Sequence, residues 1–86
     1  MNKFFQFNEY VELGKLFRDF KAYLIALEHF DKALELSYLP INIIRIAEAY
    51  DLRGNTKIFL SKYQEAIIDY SKAIELEPKD LSLIHI

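Results

Sequence analysis

The sequence predicts an all-α fold, with two antiparallel helix hairpins stacked as a short α-solenoid. Three observations carry this. Only two Gly and two Pro interrupt 86 residues otherwise rich in strong helix formers. Apolar residues recur at three- and four-residue steps in four separate segments. The stretch YLIALEHFDKALEL at residues 23–36 also returns as YQEAIIDYSKAIEL at residues 63–76, with Tyr, Ala, an aromatic residue, Ala and Leu at the same offsets. One helical unit is therefore written twice.

The first helix is expected over residues 8–20. Asn8 would cap it with its side-chain oxygen, and Tyr10, Leu13, Gly14, Phe17 and Phe20 make one apolar face. The second is expected over residues 22–37, burying Tyr23, Ala26, Leu27, Phe30, Ala33, Leu34 and Leu36. Pro40 closes that segment, because the residue before a proline avoids helical backbone. The third is expected over residues 42–60, with Ile43, Ile46, Ala47, Tyr50, Gly54 and Ile58 on its apolar side. The fourth is expected over residues 63–77, with Ala66, Ile67, Tyr70, Ala73, Ile74 and Leu76 inward and Pro78 as its stop. The closing KDLSLIHI reads as the opening of a fifth helix with Asp80 as cap. Six or seven residues hold a helix only with tertiary support.

Composition bounds the rest. Residues 1–86 make a single small domain, and 52% apolar residues, with seven Phe and six Tyr, supply a core. A net charge of −2 leaves no electrostatic footprint for nucleic acid or an anionic membrane. Without cysteine there is no disulfide, thiolate metal site or thiol nucleophile. MNKFFQFNEY lacks the apolar run of a secretory signal, and Arg45 and Glu48 break the longest apolar stretch short of a membrane span. The expectation is a soluble, cytoplasmic protein.

The doubled unit has a definite pattern. Tyr10, Gly14, Ala26, Phe30 and Ala33 recur 40 residues on as Tyr50, Gly54, Ala66, Tyr70 and Ala73. With Leu13, Phe17 and Pro78, this resembles the tetratricopeptide repeat, whose signature sets small and aromatic residues at these offsets. The resemblance divides the chain into a first repeat at residues 7–40, an insertion at 41–46, a second repeat at 47–80 and a stub at 81–86. The insertion arises because the family period is about 34 residues. It starts the third helix early and makes it project past its neighbours. Other departures are Arg53 in place of Leu, Lys57 in place of Tyr, and Tyr38 in place of Pro.

The resemblance implies a protein–protein interaction module, a scaffold or adaptor, with a concave groove lined by the first helix of each hairpin. The groove residues it implies are Asn8, Val11, Lys15, Arg18, Glu48, Asp51, Asn55 and Phe59. A mixed-charge groove of this kind suits a peptide or partner protein. The clamp with which some family members hold a peptide carboxylate is not matched, since Val11, Lys15 and Leu52 stand at its positions. Two repeats leave the end of a solenoid uncapped, so the alternative is a self-assembling element, a homodimer formed by stacking or swapping. Ile43, Ile44, Leu83, Ile84 and Ile86 would carry it.

Nothing in the sequence points to catalysis, a cofactor or a metal. His29 and His85 are the two histidines, and neither has a second ligand one helical turn away. Glu9 with Glu12, and Glu65 with Asp69, read as solvated surface charge rather than an acid–base pair. Lys15, Arg18 and Lys21 form a basic stripe too small for nucleic acid.

Overall fold

The computed structural model describes residues 2–77. They form four helices: α1 (Lys3–Asp19), α2 (Tyr23–Glu35), α3 (Ile43–Phe59) and α4 (Tyr63–Leu76). α1 pairs with α2 and α3 with α4, and the hairpins stack mainly through α2 against α3. The expected all-α hairpin pair is the fold.

The first helix begins at Lys3 rather than at residue 8 because a different asparagine caps it. The Asn2 side-chain oxygen accepts from the backbone N–H groups of Phe4 and Phe5, at 2.9 and 3.3 Å. Asn8 instead sits exposed within α1. Asn42 caps α3 in the same way, accepting from the Ile44 N–H at 2.8 Å. α1 and α3 are both 17 residues long and begin and end 40 positions apart. The early start of α3 is thus matched in α1, and α3 is not the longer helix. Of residues 41–46, the first two lie in the connection and Ile43 to Ile46 are helical.

Both hairpins turn alike. Lys21 and Ser61 take left-handed backbone, with φ of 65° and 60°. Around them Ala22 N–H donates to the Phe17 carbonyl and Lys62 N–H to the Lys57 carbonyl, each at 2.8 Å. This six-to-one bond satisfies a carbonyl that the helix end leaves open.

The glycines admit close packing. A Cβ on Gly14 would run into the fully buried Phe30 ring. One on Gly54 would lie 3.2 Å from the Ala66 carbonyl oxygen and the Tyr70 ring. Phe7, Val11, Ala33, Leu34 and Ala49 form the core between the hairpins, with Ile41, Ile46 and Leu52 packed against it. Phe7 enters this core because α1 begins early. Phe20 and Ile67, expected inside, are 75% and 58% exposed. Phe20 lies past the end of α1, in the turn. The position facing α3 from that side of α4 is held by Asp69, not Ile67.

Candidate interaction face and the ion cluster behind it

The residues expected to line a groove divide into two groups. Asn8, Asp51 and Phe59 are exposed, and Lys15, Arg18, Glu48 and Asn55 are partly exposed. Val11 is fully buried in the core, so it supports the face from behind and cannot touch a ligand. Its position on α1 is the one α3 covers.

One side-chain bond among these residues links α1 to α3, and the other ion pairs stay on one helix. Arg45 on α3 donates from Nη2 to Asn8 Oδ1 on α1 at 2.9 Å. Its other terminal nitrogen lies 3.5 Å from Glu48. Lys15 pairs with Glu12 at 3.5 Å and Arg18 with Asp19 at 3.4 Å. Exposed pairs of this kind contribute about 0–1 kcal/mol, so they constrain these side chains only weakly. Phe59 stacks face to face on Tyr23, with ring centroids 4.8 Å apart, which ties the end of α3 to the start of α2.

On the α3–α4 side, Ala47, Glu48, Asp51, Tyr70, Ala73 and Ile74 border an open groove of about 780 Å³. Tyr70 has its phenol pKa raised, first by burial and further by the nearby Asp51 charge, while a hydrogen bond with Asn55 opposes both. Ile43 and Ile44, expected to mediate self-association, are 49% and 57% exposed at the start of α3. Leu83, Ile84 and Ile86 lie outside the described residues, as do Pro78, Asp80 and His85.

Behind this face lies a cluster that the sequence reading placed wrongly. Asp69 is not a solvated charge: it is 1% exposed. Arg53 donates to both its carboxylate oxygens, Nε to Oδ2 at 2.9 Å and Nη2 to Oδ1 at 2.8 Å. Lys57 Nζ lies 2.9 Å from Oδ2. Arg53 also reaches Asp31 on α2 at 3.0 Å, and Lys57 approaches Glu65 at 3.6 Å. Burial lowers the Arg53 pKa, but the bonds and charges of Asp69 and Asp31 outweigh it, leaving the guanidinium above its ordinary value. It stays charged and links α2, α3 and α4.

Arg53 and Lys57, the departures from the family signature, are therefore compensated by Asp69. Their counterparts 40 residues earlier are Leu13, Phe17 and His29. There the same place is filled by rings, with Phe17 and His29 centroids 5.1 Å apart. His29 Nδ1 lies 2.9 Å from the Ile25 carbonyl. A carbonyl only accepts, so this nitrogen carries the proton. The signal for the cluster was in the sequence, as three polar residues at positions whose counterparts are apolar or aromatic.

No group of three or more metal-ligating side chains gathers among the described residues. No described helix is long and apolar enough to cross a membrane.

The fold and the paired small-and-aromatic contacts define a tetratricopeptide-repeat-like helical protein. The tetratricopeptide repeat family matches residues 47–80, which take in most of α3, all of α4 and the residues that follow it. No curated protein and no solved structure matched the chain. As a class these repeats mediate protein–protein contacts.

Proposed function

We propose that the chain is a scaffold or adaptor module that binds a peptide or partner protein across the exposed face of α1 and α3, with no chemistry of its own. The observation that carries this reading is the joined face itself. Asn8 on α1 accepts a hydrogen bond from Arg45 on α3, and the proposed face extends from that link along Lys15 and Arg18 on α1 and Glu48, Asp51 and Asn55 on α3. The face is basic toward the end of α1 and acidic along the first half of α3. It suits an extended or helical peptide carrying both signs of charge in matching order. The repeat match supports the same reading.

The test is affinity. Peptides selected against the full chain from a random library are titrated against it and against the Lys15→Glu/Arg18→Glu double variant. Reversing both charges should weaken binding about tenfold or more, or roughly 1.4 kcal/mol, with thermal stability unchanged. Equal affinity for both chains would reject the groove.

A second reading, self-assembly, rests on Ile43 and Ile44, which are half exposed at the start of α3. Exposed apolar surface of this kind marks an interface. Light scattering across concentrations tests it, since a constant monomer mass removes it.

A further inference from the structure

We propose that the apolar groove where the α1–α2 turn meets the end of α3, with Lys21 in its lining, docks a partner-protein segment in which apolar residues flank an aspartate or glutamate. This site is separate from the α1–α3 face and does not depend on it.

Both hairpins build the groove. Lys21, Ala22, Tyr23, Leu24 and Ile25, from the first turn and the start of α2, meet Leu60 at the end of α3 around a space of about 420 Å³. The stack of Tyr23 on Phe59 fastens the hairpins to each other at this point. The turn is held by the bond from the Ala22 N–H to the Phe17 carbonyl. The walls are therefore set before a ligand arrives, which lowers the cost of binding. Leu24 and Ile25 are 68% and 47% exposed, so this apolar surface is open to a partner rather than spent in the core.

Charge narrows the occupant. Of the described residues that line the groove, Lys21 alone is charged. Its ammonium has no ion pair, hydrogen bond or ring contact among the described residues, whereas every other described Lys and Arg has one. Asp19, two positions away, is engaged by Arg18. Lys21 also stands in left-handed backbone, which disfavours any side chain, so neither its charge nor its conformation serves the fold. An unpaired cation beside open apolar surface matches a carboxylate set among apolar side chains. An anionic membrane matches less well, since such surfaces are read by clusters of about four or more cations.

The test sorts a library of short, terminally blocked peptides, built from apolar residues, Ser, Glu and Lys, on the full chain. Peptides that also bind the Leu24→Asp chain are discarded. That step removes ligands of the α1–α3 face, so failure here leaves the proposed function standing. The retained peptides should carry Glu beside apolar residues and should shift the amides of Ala22, Leu24, Ile25 and Leu60 in the isotope-labelled chain. Changing that Glu to Gln in the peptide, or Lys21→Gln in the chain, should weaken binding about threefold or more. Both changes together should weaken it no further than either alone. An empty sort, or equal affinity of the Glu and Gln peptides, would overturn the proposal. Concentration-dependent shifts of these amides in the free chain would place a second copy in the groove and overturn it as well. Broadening of the same amides by phosphatidylserine vesicles would put a membrane there, with the same consequence.

Discussion

Asp69 shows how a single residue departs from the repeat and is compensated. A carboxylate this deep is costly in isolation, because moving a charge out of water carries a penalty of several kcal/mol. Arg53 and Lys57 offset it with three charge-assisted contacts of 2.8–2.9 Å. Removing one partner strands the others, so Asp69→Ala should cost about 3–5 kcal/mol in denaturant unfolding. Replacing the whole set with its first-hairpin equivalents, Arg53→Leu, Lys57→Phe and Asp69→His, should recover most of that loss. If the triple variant is no more stable than Asp69→Ala, the cluster does not act as a unit. At this scale the sequence was only partly legible. Gly14, Ala26, Phe30 and Ala33 occupy the close contacts their spacing predicts, since small-to-large complementarity is written in residue size. Asp69 was misread because a carboxylate next to isoleucines has the same period whether it faces water or a cation on another helix. Only the partner helix decides.

At the scale of elements, the repeating unit is a long first helix, a tight turn and a shorter second helix. Asn2 and Asn42 open the long helices, and Lys21 and Ser61 turn them in left-handed backbone. Helix identity and order were legible from periodicity, whereas α2 stops at Glu35 with Leu36 as its cap, ahead of Pro40. The start of α1 was not. The run FFQF carries no clear helical period, and Asn8 offered a plausible cap closer to the apolar stripe. Asn2 prevails because about one and a half further turns bring Phe7 into the core. The turn positions make a direct prediction. Lys21 and Ser61 stand where glycine is favoured, and a side chain in that backbone region costs about 1 kcal/mol. Lys21→Gly and Ser61→Gly should therefore each raise the unfolding midpoint, with additive effects because the turns belong to different hairpins. A lowered midpoint for both would mean that the left-handed turns are not as described.

The whole molecule is an unequal pair of hairpins. The first is covered by α3 on one side and presents the polar Gln6, Glu9 and Glu12 on α1 at the other. The second exposes Ile67 and Ile68 on α4 and leaves the α3–α4 groove open. Overall architecture was the most legible level, because two copies of one pattern can bury their apolar faces only by stacking. The groove was less so. Counting along α1 placed Val11 beside Asn8 and Lys15, yet the crossing of α3 buries it. Exposure depends on a neighbour that residue spacing does not record. The proposed function requires that α1 and α3 together present a peptide-binding face. The most direct test maps amide chemical shifts while a selected peptide is titrated into the isotope-labelled chain. The largest shifts should fall at Asn8, Lys15, Arg18, Glu48 and Asn55. Shifts confined to the outer sides of α2 and α4, around Glu28, Ile67 and Ile68, would contradict it.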